Sequence, residues 1–196
     1  MDATGNVPDM PSVDSNRSKR TDAVRNRERL LSAARQAFAA KGPDVALEEV
    51  ARIAEVSRTT LYRNFTTREE LAAMVFEDNV ARIEQLASDL AGRPDGIIKL
   101  FEDVLDMIID ERSFVHVLSG ADIEWFTALS RRTAAAFESL LAAGRSAGLV
   151  VDGVGAEDLM IALHMARPLA ERVEGDAAES VRIGRAILHR ALFVHV

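Results

Sequence analysis

Ten residues, VSRTTLYRNF from Val56 to Phe65, place two arginines, two threonines, a serine and a tyrosine within reach of one another. Guanidinium, hydroxyl and phenol groups donate hydrogen bonds to phosphate oxygens, and Arg and Thr also read base edges in a DNA major groove. Whether they act together depends on the element that carries them. At about 100° per residue of α-helix, Leu61 and Phe65 share the buried direction. Thr59 and Arg63 then point the opposite way, with Thr60 and Tyr62 on the flanks. Ser57 is a suitable N-cap. Just before it, LEEVARIA (Leu47 to Ala54) reads as a second short helix with acids in its first turn, where they suit the macrodipole. Glu55 and Val56 close a tight turn. Two short helices so joined form a helix-turn-helix, whose second helix enters the groove. Val50, Ala51, Ala54 and Val56 would pack the pair together. The polar face of an ordinary three-helix bundle has the same geometry, so on spacing alone both readings stand.

The elements around this pair are helical in pattern. A first helix is expected to start at a cap on Thr21 or Asp22, with Leu30, Leu31, Ala34, Ala37 and Phe38 at helical spacing and Gly42 as its stop signal. Residues 1–20, rich in Pro, Ser and Asp with few large apolar groups, predict a disordered tail. Thr67 with Glu70 three residues on is a capping-box pattern, starting a helix to about Leu90. Beyond a break at Pro94 come an amphipathic helix from Gly96, a short segment through Leu118 and a long Ala-rich helix. LVVDGVG then makes a turn with a few extended residues, and two last helices follow. Pro168 lies inside the first of these and predicts a kink or break. The expected architecture is all-α with about nine helices. It comprises a three-helix helix-turn-helix domain over 21–66 and a larger helical domain over 67–196.

Charge supports this division. The 196 residues carry a net −7, but Arg17 to Glu70 hold 12 Lys+Arg against 8 Asp+Glu, a net of +4. From Leu71 onward the net is −8. A basic front on an acidic body suits a chain that meets a polyanion at one end. Cysteine is absent, which excludes disulfides and thiolate metal sites. No apolar run approaches the roughly 18 residues of a membrane span, and the first residues lack the apolar core of a secretory signal. A cytoplasmic protein is expected. His116, His164, His189 and His195 are scattered, and no phosphate-binding, dinucleotide or zinc-protease motif occurs. Neither a cofactor nor a metal is expected, and an enzyme is a secondary alternative, as is a helical small-molecule-binding or interaction module without specific DNA binding.

Over about fifty residues the sequence resembles the N-terminal domain of TetR-type bacterial transcriptional regulators. The shared positions are Ala34, Phe38 and Gly42, then L-x-x-V-A from Leu47, V-S-x-x-T-L-Y-x-x-F across the turn, and Arg68 to Leu71. The resemblance implies base readout by Arg58, Thr59, Thr60 and Arg63. It implies phosphate contacts by Tyr62, Asn64 and Arg68, with Ser57 capping the recognition helix. Arg17, Lys19, Arg20 and Arg25 would form a basic arm, or else a solvated tail. Three residues depart from the family pattern. Glu55 stands at a turn position that commonly holds Gly, Ala46 replaces a capping Ser or Thr with Asp44 as substitute, and Asn64 replaces a frequent His.

The resemblance further implies a homodimer built from the last two helices on a pseudo-palindromic operator, with repression as the commoner mode. Gly184 in mid-helix would fit close approach of a partner helix, or be tolerated at an exposed site. The same resemblance places a small-molecule effector among the middle helices, where Phe101, Leu105, Ile108, Phe114, Leu118, Trp125, Phe126 and Leu129 concentrate. Any one of these can equally be core. His116, Asp122, His164 and Arg167 are available as polar groups, so a mainly apolar ligand with one polar end is expected.

Overall fold

The computed structural model describes residues 13–42, 44–110, 123–170 and 177–194. These form eight helices: α1 (Val13–Lys41), α2 (Leu47–Ile53), α3 (Arg58–Asn64), α4 (Arg68–Asp89), α5 (Gly96–Asp110), α6 (Ile123–Ser146), α7 (Ala156–Ala170) and α8 (Ala177–Leu192). About nine were expected, and the short segment through Leu118 lies outside the described residues. No strand occurs among the described residues. The expected extended residues at LVVDGVG form a single bridge, Val150 to Phe193, flanked by hydrogen bonds from Val151 N to Leu192 O and from Val194 N to Leu149 O, both 3.0 Å.

The start of α1 corrects the sequence reading. The helix begins at Val13, not at a cap on Thr21 or Asp22, so residues 13–20 belong to α1 and not to a disordered tail. No Gly or Pro falls between Val13 and Lys41 to stop it. From Thr21 to Arg29 its side chains are exposed or half-buried; burial starts at Leu30. Gly42, at φ +79°, ends the helix and donates its N–H to Phe38 O at 2.8 Å, a conformation that glycine adopts without steric cost.

Two apolar cores follow. The head core joins Leu30, Ala34 and Phe38 of α1, Val50 and Ala51 of α2, Leu61 of α3, Phe65, and Leu71, Ala72 and Val75 of α4. The body core joins Ile83 and Ala87 of α4 to Leu100, Phe101 and Leu105 of α5, Phe137 and Leu140 of α6, Leu159 and Leu163 of α7, and Phe193. Helix α4 thus runs from one core into the other. Helices α5 and α6 approach closely at Gly144, where a Cβ would fall 2.6 Å from Ile97 Cγ2. Polar ties reinforce the packing: Arg132 of α6 bonds Glu84 and Glu77 of α4 at 2.7 to 2.9 Å, and Arg185 of α8 pairs with Glu102 and Asp106 of α5. Pro168 does not break α7 where it stands; the helix continues to Ala170, the last described residue of this stretch. Gly184 is buried against the chain itself, which disposes of tolerance at an exposed site. No helix of the described residues is long and apolar enough to cross a membrane.

Candidate nucleic-acid interface and effector cavity

Helix α2 ends in a Schellman motif. Val56 N–H bonds Ala51 O at 3.0 Å, and Glu55 N–H bonds Arg52 O at 3.2 Å. Glu55 occupies the left-handed position at φ 53°, where the sequence suggested a need for positive φ. Its carboxylate is held by Arg29 of α1 at 2.8 Å. The missing cap of α2 is also as expected: Ala46 makes no side-chain cap. Asp44 does not replace it and lies instead 3.7 Å from the Arg68 guanidinium. Ser57 caps α3, accepting from Thr60 N–H at 3.1 Å, and its hydroxyl lies 2.9 Å from that of Thr60. Thr67 caps α4 through Glu70 N–H at 3.1 Å, while Glu70 reaches back to the N–H and hydroxyl of Thr66 at 2.7 and 2.8 Å.

These caps fix α3 with Leu61 and Phe65 inward and its polar residues outward. Thr59 and Arg63 are exposed and have no side-chain partner among the described residues. The other assigned residues are engaged within the head. Tyr62, 44% exposed, donates its hydroxyl to Glu48 at 2.8 Å. Arg58 lies 3.9 Å from the same carboxylate. Asn64 turns its amide back to Thr60 O at 2.7 Å, along its own helix and not outward. Beside this face Lys41 and Arg52 both bond Glu49, and these bonds, that of Arg52 first, bring its carboxyl down to about 2. Arg25 is exposed near the start of the described side chains; those of Arg17, Lys19 and Arg20 lie outside them.

A cavity of about 430 Å³ opens between α4, α5, α6 and α7. Four residues of the sequence-based set line it: Ile108, Phe126, Leu129 and His164. Three do not. Phe101 and Leu105 are fully buried in the body core, Phe101 edge-on to Phe193 at 5.5 Å. Trp125 packs beside Phe126 (4.9 Å) and Phe76 (6.5 Å) and donates its indole N–H to Glu77 at 3.1 Å. The positions of Phe114, His116, Leu118 and Asp122, and the side chain of Arg167, lie outside the described residues.

The wall missed from sequence is α4, which supplies Phe76, Asn79, Val80 and Ile83. Their helical spacing was the available signal. Among the described residues the lining is apolar apart from Asn79, Ser130, Thr133 and His164, and includes no Asp, Glu, Lys or Arg. Thr133 donates to Leu129 O at 3.1 Å, and His164 Nδ1 lies 2.6 Å from Met160 O. Asn79 accepts from Arg35 of α1 at 2.9 Å, and the same guanidinium bonds Asp78 at 2.5 Å. A cavity wall and the first helix of the head therefore share one side chain. Among the described residues no group of three His, Cys, Asp or Glu is placed to hold a metal.

The sequence profile described as "Bacterial regulatory proteins, tetR family" matches residues 30–75, the span of the head core. No curated protein matches the chain. Solved structures match over nearly its full length. A TetR transcription regulatory protein from Mycobacterium vanbaalenii is 31% identical, with 89% of this chain and 99% of that one covered at a TM-score of 0.69. A TetR transcriptional regulator from Streptomyces coelicolor is 25% identical, covering 86% and 99%, also at 0.69. A SmeT–triclosan complex shares the fold at 18% identity and a TM-score of 0.52, covering 86% and 92%. With its capped helix-turn-helix, a body that is helical throughout its described residues save one bridge, and a relative 31% identical over 89% of its length, the chain belongs to the TetR family of bacterial transcriptional regulators.

Proposed function

We propose that the protein is a ligand-responsive repressor that binds a pseudo-palindromic operator as a homodimer and is released by a small, mainly apolar effector. The observation that carries DNA recognition is the outward pair Thr59 and Arg63 on a helix held rigid by the Ser57 cap and the Schellman turn. Arg reads guanine through two parallel hydrogen bonds, and Thr contacts a base edge or a thymine methyl. Arg58 and Thr60 flank the pair, and Tyr62, Asn64 and Arg68 are positioned for the backbone once their present partners are exchanged.

Dimerisation is supported by an apolar strip on α7 and α8. Ile161 and Met165 lie four apart on one helix, Ile183 and Ile187 four apart on the other, and all four are exposed by 46 to 63%. One recognition helix makes few contacts; two-fold symmetry doubles them and matches two half-sites.

The mainly apolar lining contributed by the described residues supports the effector class. An apolar ligand with one hydrogen-bonding end would be satisfied by Asn79, Ser130, Thr133 or His164. Release would pass through Asn79, because a ligand that reorients its amide also disturbs Arg35 on α1. The effect is bounded by the ligand's differential affinity for the two head positions.

The test is selection of bound duplexes from a random pool, followed by a compound screen for release in a mobility-shift assay. A two-fold symmetric consensus is expected. In addition, Arg63→Ala should relax preference at particular bases, costing about 1–3 kcal/mol on the selected site, while Tyr62→Ala with Arg68→Ala should weaken all sequences and flatten the salt dependence. No enrichment over repeated rounds would overturn the reading.

A further inference from the structure

The Glu48 side chain faces the DNA-binding surface from α2 and is 40% exposed. Its carboxylate accepts from the Tyr62 hydroxyl at 2.8 Å and lies 3.9 Å from the Arg58 guanidinium. Together these hold the carboxyl below its usual range, the Tyr62 bond foremost, and the same bond raises the phenol. A phenol donor and a guanidinium charge thus meet on one carboxylate oxygen, Oε1, of an anionic group that only accepts, which is also the chemistry of a phosphodiester. A phenol carries one proton, so Tyr62 serves Glu48 or a phosphate, not both.

We infer that Glu48 stands in for a DNA phosphate in the free head, its carboxylate held between Tyr62 and Arg58 until a backbone phosphate displaces it. The inference rests on the DNA-binding reading above and adds a role for an acid within it. Exchange of one anion for another returns little net free energy, and the displaced carboxylate stays close to the phosphate that replaced it. Glu48 therefore lowers the sequence-independent part of binding, which phosphate contacts supply. It leaves base readout by Thr59 and Arg63 untouched. The consequence is a protein that spends less time on random DNA and discriminates its operator more sharply.

The test uses the full chain and a labelled mixed-sequence duplex, with affinity measured across a salt series. Glu48→Gln keeps an acceptor for Tyr62 and removes the charge. It should bind random duplex about fivefold more tightly, the scale of one charge at about 4 Å in water, with a salt dependence steeper by about one phosphate. Glu157→Gln on α7, the same charge change in the body, should leave both unchanged. Tyr62→Phe should cost more in the Glu48→Gln background than in the parent, because a neutral amide holds the phenol less firmly than a carboxylate. Melting temperatures check that each variant folds. A Glu48→Gln protein that binds random duplex no better than the parent overturns the inference while leaving DNA binding intact. A parent that binds no duplex overturns both.

Discussion

The head has a sealed centre: Leu30, Ala34, Phe38, Val50, Leu61, Leu71, Ala72 and Val75 are all fully buried. The body, built from longer helices, leaves about 430 Å³ open between four of them. A packed interior holds one geometry, since each missing contact costs stability. An open one can accept a molecule and repack around it. A reader of fixed groove geometry needs the first property and a sensor of small molecules the second. Helix α4 belongs to both, packing Leu71, Ala72 and Val75 into the head and turning Asn79, Val80 and Ile83 to the cavity.

The contrast is broken most sharply by truncation. Leu61→Ala in the filled head should cost about 2–5 kcal/mol and remove DNA binding, as read by denaturant unfolding. Ile108→Ala, on a wall that already borders space, should cost under about 2 kcal/mol by the same measurement. Equal costs would mean that the two interiors do not differ. Next in size is the tie between them. Asn79→Leu keeps volume and removes the bond from Arg35. It should leave effector affinity by calorimetry within a few-fold but reduce the effector's power to release DNA, a coupling on the order of 1–3 kcal/mol.

Two smaller effects sharpen the picture of the head. Glu55→Gly relieves a left-handed residue and loses only an exposed pair with Arg29. It should stabilise the head by up to about 1 kcal/mol in thermal unfolding. The acid limb is governed by carboxylates such as Glu49. Its folded pKa is depressed to about 2 by Arg52 and Lys41, so its contribution is complete above the unfolded value of about 4.3 and is lost as pH falls toward about 2. Glu49→Gln should therefore be slightly less stable than the parent at neutral pH, converge with it as pH falls toward about 2, and so flatten the fall across that window.

How much of this was legible in the sequence differs between the regions for a physical reason. Ser57, Thr67, Gly42 and the strained Glu55 act within a few residues of chain, so caps, stops and turn geometry could be read directly. Thr59 and Arg63 followed from helical spacing against Leu61 and Phe65. What the donors of Tyr62 and Asn64 do, by contrast, depends on where neighbouring side chains reach, and the sequence does not say that Glu48 lies opposite Tyr62. The cavity depends on how distant helices cross. Phe101, Leu105 and Ile108 follow one another on the same apolar face of α5, yet the first two are core and the third lines the space. The α4 wall escaped because helical spacing alone does not show that the successive turns of one helix serve two interiors, the head core and then the cavity. The early start of α1 escaped because polar composition argued for a tail, and the absence of any breaker from Val13 onward was the better guide.

The chain carries a single tryptophan, and its position gives the molecule an optical property. Trp125 sits where the head core meets the body, edge-on to Phe76 and Phe126, with its indole N–H on the Glu77 carboxylate. Emission from an indole responds to the polarity and charge around its ring. Any turn of α4 against α6 changes the distance to Glu77, and with it the colour and intensity of that emission. The seam between reader and sensor thus contains its own chromophore, one per chain and free of background from any other indole. The angle between the two parts can be followed in solution, in real time, without attaching a label.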